Sequence, residues 1–97
     1  MPYIKQEDRD YIDPHIESLV DRMQSMFSDV GSLPGPTNYA ITRIVAGVLK
    51  PHSGWSYHSL SRAIAVFHDA ATEMERRLMA EYEDRKIIEN GDLEEYK

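Results

Sequence analysis

The chain has no cysteine among its 97 residues, which removes disulfides, thiol catalysis and thiolate zinc sites together and agrees with a reducing compartment. It also lacks any apolar run near the roughly 20 residues that span a bilayer. Its start, Met1-Pro2-Tyr3-Ile4-Lys5-Gln6-Glu7-Asp8, has no apolar stretch of the secretory kind. A cytoplasmic protein with no membrane partner is therefore expected. Histidines occur at His15, His52, His58 and His68, none of them in the close helical pair that a metal site needs. No metal or cofactor is expected. Basic residues are few, 11 Lys and Arg against 17 Asp and Glu for a net charge of −6. Long nucleic acids demand an extended basic face and are excluded as partners on that ground.

The acidity is uneven, and its local absence is informative. Residues 30–72 hold one acidic side chain against seven in 1–29 and nine in 73–97, so the three segments carry +2, −4 and −4. The acid-poor middle contains Asn38-Tyr39-Ala40-Ile41-Thr42-Arg43 and Ser56-Tyr57-His58-Ser59-Leu60-Ser61-Arg62. In both, hydroxyls and tyrosines stand beside a lone arginine.

Length and a 41% hydrophobic content fit one globular domain over residues 1–97, short enough to gain stability from a partner subunit. The pattern predicts an all-α fold, a three- to four-helix bundle with one long C-terminal helix that self-associates. Residues 1–12 form an N-terminal arm in this reading. Asp13 caps a first helix with Pro14 at its first position, and Ile16, Leu19, Val20, Met23, Met26 and Phe27 follow at helical spacing towards an end near Ser28-Asp29. The loop Gly31-Ser32-Leu33-Pro34-Gly35-Pro36 comes next. A second helix is expected from Pro36 or Thr37, burying Ile41, Ile44, Val45, Val48 and Leu49 and closing at Pro51 and Gly54.

Ser56 is a plausible cap for the third helix. Its apolar positions Leu60, Ile64, Phe67, Ala71, Met74 and Leu78 recur at 4, 3, 4, 3 and 4 residues, the seam of a helix packed along another. Run unbroken to Glu89, it would be about 50 Å long, against a radius of gyration near 13 Å for a globule of this size. Either it breaks near Ala80-Glu81 or its end meets another subunit. Asn90-Gly91 provides a C-terminal stop, leaving 90–97 as a tail.

Three stretches resemble a family of small, uncharacterised, all-helical proteins encoded by bacteriophages, prophages and some bacteria. They are Met1-Pro2-Tyr3-Ile4-Lys5-Gln6-Glu7-Asp8-Arg9 with Asp13-Pro14, then Asn38-Tyr39-Ala40-Ile41-Thr42-Arg43, and Arg76-Arg77 with Tyr82-Glu83-Asp84-Arg85-Lys86-Ile87 and Glu89-Asn90-Gly91-Asp92. The resemblance implies a helical fold and a phage or bacterial setting, and no activity. Where the family pattern has proline this chain has Glu81, which leaves the break in the long helix open. Small helical phage proteins bind host factors or sequester nucleotide signals used in host defence, an analogy of setting alone.

The residues themselves allow two readings. At helical spacing Asn38, Tyr39, Thr42 and Arg43 fall on neighbouring faces near a helix N-terminus, where free N–H groups favour an anion. Arg43 would clamp it and Tyr39 would stack on a ring; alternatively Asn38 caps, Tyr39 packs and Arg43 pairs with a neighbouring acid. Tyr57, His58 and Arg62 make the parallel case on the third helix. A third possibility, a magnesium-dependent nucleotide pyrophosphohydrolase, rests on Glu81 and Asp84 as half of a Glu-x-x-Asp cage whose Glu-x-x-Glu partner is missing: Glu17 is followed three residues later by Val20, and Glu73 by Arg76. The leading expectation is a non-catalytic, phage-type protein that holds a small anionic ligand such as a nucleotide. Its rival is a protein-interaction module that inhibits or bridges a host or phage protein.

Overall fold

In a computed structural model, residues 2–26 and 30–97 are described, and among them every regular element is helical, with no strand. The order is α1 (Gln6–Met26), a 3₁₀ turn (Val30–Ser32), α2 (Pro34–Leu49), α3 (Tyr57–Met74), a π-helical segment (Glu75–Met79), α4 (Ala80–Asn90) and a second 3₁₀ turn (Glu94–Tyr96). The all-α expectation holds, with the long C-terminal helix in place.

Helix α1 starts at Gln6, seven residues before the expected cap at Asp13, so the arm shortens to residues 2–5. Lys5 supplies the first carbonyl, which accepts from the amides of Asp8 at 3.1 Å and Arg9 at 3.0 Å. Glu7 and Asp8 then sit in the first turn, where negative charge meets the positive end of the helix dipole. The Arg9 Nε donates back to the Ile4 carbonyl at 2.8 Å and ties the arm to the helix. Pro14 consequently lies inside α1, where it cannot donate to the carbonyl of Asp10. The expected end near Ser28-Asp29, and Phe27 with it, lie outside the described residues.

Helix α2 begins two residues earlier than expected, at Pro34. Three prolyl-compatible positions, Pro34, Gly35 and Pro36, form its first turn, where missing donors cost nothing. The Leu33 carbonyl accepts from both the amide and the hydroxyl of Thr37, at 3.0 and 2.7 Å. The helix stops at Leu49 because Lys50, before Pro51, turns to extended backbone.

Ser56 caps α3 as expected. Its carbonyl accepts from the Leu60 amide at 2.9 Å, its Oγ from the Ser59 amide at 3.2 Å, and its own amide donates to the Ser59 Oγ at 2.9 Å. The helical run does not break at Glu81. It passes from α3 into the π segment, whose wider ladder is marked by the Ala80 amide donating to the Glu75 carbonyl five residues back, and continues as α4. Gly91 ends it with φ 88° and ψ 153°, a conformation essentially confined to glycine.

The residues divide into two compact units, Met1–Ala63 and Ile64–Lys97. Burial is slight. Among the described residues only Ser59 and Ala63, at 8% and 7% exposure, are buried. The expected buried face of α2 is therefore revised: Val45 and Leu49 are half-buried, whereas Ile41, Ile44 and Val48 are exposed. On α1 only Met23 of the apolar stripe is half-buried, and on α3 only Phe67 of the seam. The spacing marks apolar stripes, and among the described residues most of their side chains are exposed.

Candidate functional site

Within the first unit, α1 and α2 share one apolar groove of about 470 Å³, inside the size range of small-molecule sites. Helix α1 contributes Leu19, Met23 and Met26, the i, i+4, i+7 stripe of its last turns. Helix α2 contributes Pro36, Tyr39, Ala40, Arg43 and Ile44. Arg43 is the charged member of this lining. Its guanidinium lies 5.9 Å from the centre of the Tyr39 ring, and Nη1 donates to the Tyr39 hydroxyl at 3.4 Å. These two side chains are one helical turn apart, the spacing at which cation and ring meet on one face. Among the described residues Arg43 has no acidic partner.

The other candidates on α2 stand apart from the groove. Thr42 donates to the Asn38 carbonyl at 2.7 Å, with the Asn38 Oδ1 at 3.5 Å, so its hydroxyl serves its own helix. Asn38 itself is exposed and does not line the groove. On α3, Tyr57, His58 and Arg62 are all exposed and none lines it. Arg62 does not line the groove that Arg43 lines. Of the candidate residues, Tyr39 and Arg43 line this groove. The α1 side of the groove was missed as a site because Leu19, Met23 and Met26 have the spacing of an ordinary core stripe.

Several charged side chains of the second unit pair along their own helices. Glu81 accepts from Arg85 at 3.1 Å and Glu89 from Lys86 at 2.9 Å. Arg76 pairs with Glu73. The Tyr82 ring faces both Lys86 Nζ, 5.6 Å from its centre, and the Arg85 guanidinium at 6.0 Å. Among the described residues no cluster of three or more His, Asp or Glu side chains is placed to hold a metal ion. No helix there is long and apolar enough to cross a membrane.

Residues 1–93 match the family described as Domain of unknown function (DUF6899), and the chain belongs to it. No curated protein and no solved structure matches the chain.

Proposed function

We propose that this chain is a non-catalytic helical interaction module whose apolar helix faces are covered by protein when it acts. The observation that carries the reading is the burial pattern: among the described residues two are buried, against open Ile16, Ile44, Ile64, Met74 and Leu78. Fully burying one such side chain contributes about 1.5–3 kcal/mol, so the stripes hold most of the stabilisation still available to the chain. Exposed apolar patches of this kind mark interaction surfaces in soluble proteins. The phage or bacterial setting implied by the resemblance supplies host and phage proteins as partners in a cytoplasm. The test is a thermal melt of the dilute, isolated chain with a hydrophobic dye present. A broad transition with dye bound before melting is expected; a steep transition with no dye bound refutes the module.

A second reading is favoured by Arg43, a guanidinium without an acidic partner among the described residues, on an apolar groove of ligand size. It supports a small amphipathic anion, such as a nucleotide, with its ring against Tyr39 and its charge on Arg43. Charge-assisted hydrogen bonds contribute roughly 1.5–3 kcal/mol. Arg43→Ala is then expected to weaken binding about tenfold or more, and Arg43→Lys to restore part of it, since lysine has no bidentate fork. Calorimetry against mono-, di- and cyclic nucleotides decides the matter. Absence of binding by the unaltered chain removes this reading and leaves the first.

A further inference from the structure

Taken by itself, the unit Ile64–Lys97 is one helical run, the end of α3 with the π segment and α4, followed by a 3₁₀ turn. A single helix has no second layer of its own on which to bury an apolar stripe. The stripe is nevertheless present. Ile64 is 54% and Met74 65% exposed, on either side of half-buried Phe67 and small Ala71. We propose that a second copy of this chain covers it, running antiparallel, with Phe67 of each copy seated on Ala71 of the other. This rests on the interaction-module reading and names its partner.

Two observations select this occupant and this direction. The first is the order of side-chain sizes. Ile64, Phe67, Ala71 and Met74 follow at spacings of 3, 4 and 3, so the set is symmetric about position 69. Antiparallel two-fold pairing brings Ile64 against Met74 and Phe67 against Ala71, in both halves at once. The bulky ring then fills the space over a methyl group, and the flexible thioether adapts to the branched isoleucine. Parallel pairing would stack Phe67 on Phe67 and Ala71 on Ala71, crowding one layer and leaving a gap in the next, both unfavourable in a packed seam. The second observation is charge. Residues 57–72 of the run contain one acid, Asp69, whereas 73–90 contain six. Parallel pairing sets each of these acids beside its own copy; antiparallel pairing about position 69 sets Glu73, Glu75 and Glu81 opposite residues 65, 63 and 57, in the acid-poor stretch. Like charges placed opposite one another select against the parallel form.

Because the chain has no native cysteine, the arrangement is open to a direct cross-linking test. Ile64→Cys and Met74→Cys chains are purified separately, checked for wild-type helical signal by circular dichroism, then mixed under mild oxidation. Should either lose helicity, Leu60→Cys and Leu78→Cys report the same arrangement one layer further out. The unaltered chain is expected to sediment at micromolar concentration as a dimer of 11.2 kDa chains. The mixture is expected to form a disulfide-linked dimer and neither variant alone to do so, since a disulfide needs Cβ atoms about 3.5–4.5 Å apart. Cross-linking of each variant with itself overturns the antiparallel direction, and a dimer without the mixed cross-link overturns this seam. A species of 11.2 kDa without cross-links overturns the second copy altogether. The melting curve of that monomer then judges the broader reading separately: a broad melt leaves an interaction surface awaiting another protein, and a steep one removes the surface as well.

Discussion

Ser56 and Ser59 give the sharpest local test of the structure, because each hydroxyl satisfies the other residue's amide at the start of α3. The Ser59 amide donates to the Ser56 Oγ at 3.2 Å, the Ser56 amide donates to the Ser59 Oγ at 2.9 Å, and the two hydroxyls lie 3.2 Å apart. This is the reciprocal cap usually built with Glu or Gln at the third helical position. Serine fills that position here because Ser59 is nearly enclosed, at 8% exposure, and has no room for a longer side chain reaching through water. Losing a capping serine costs about 1 kcal/mol, within a range of roughly 0.5–2. Ser59→Ala should reach the upper part of that range, since the Ser56 amide is left without its acceptor at a part-buried site where water substitutes poorly. Ser56→Ala should cost about the same. For a domain of this size, about 1 kcal/mol corresponds to roughly 4–8 °C in melting temperature. The double variant should cost less than the two singles together, because either substitution already removes the hydroxyl–hydroxyl contact. Melting followed by circular dichroism at one fixed chain concentration reads all three values, the concentration being held because association shifts melting by mass action. If Ser59→Ala melts within a degree of the unaltered chain, the reciprocal cap is not part of the folded state.

Two further substitutions test the helix boundaries. Pro14→Ala should raise both helical content and stability by up to about 3 kcal/mol, less about 0.4–1 for the freer unfolded chain, because α1 runs through Pro14 and lacks its hydrogen bond there; a neutral or destabilising result in the same melt would return the helix start to Asp13. Gly91→Ala should cost about 1–3 kcal/mol and fray the last turn of α4, since φ 88° with ψ 153° strains any side-chain-bearing residue even though open space surrounds the position; hydrogen exchange at the Gly91 amide, now bonded to the Ile87 carbonyl at 2.8 Å, should quicken, and unchanged exchange would contradict the cap.

What the sequence makes legible here is what neighbouring residues decide among themselves. The cap at Ser56, the stop at Asn90-Gly91 and the end of α2 before Pro51 each depend on three or four consecutive residues, and each stands where their chemistry puts it. The start of α1 went astray for a reason of the same kind. Asp13-Pro14 is the strongest local start signal in its neighbourhood, yet Gln6, Glu7 and Asp8 make an adequate first turn upstream, and a helix already nucleated crosses one proline when its flanks supply enough hydrogen bonds. The π segment at Glu75–Met79 has no counterpart in the residue pattern, whose spacing of 3 and 4 passes through it unchanged. At the candidate site, Tyr39 and Arg43 were legible as a pair because one helical turn separates them. The contribution of Leu19, Met23 and Met26 to the groove depends on how helices face each other, which spacing along one helix does not encode.

The same distinction bears on what holds the chain together. Its local devices are real but small: exposed pairs such as Glu81–Arg85 and Lys86–Glu89 contribute only about 0.2–0.5 kcal/mol each, and screening by salt reduces them further. Helices stabilised by such terms alone are marginal in water, since most helical stability in proteins comes from packing an apolar face. A domain of ordinary stability needs about 5–15 kcal/mol net of its conformational entropy, which caps and surface pairs cannot supply. The apolar stripes of α1, α2 and α3 are the remaining source, and among the described residues only Ser59 and Ala63 are buried. On this reading folding and association form one equilibrium: raising the partner's concentration should raise the helical fraction itself, and a helical fraction that stays constant while the partner is titrated would show that the stripes are not what the fold rests on.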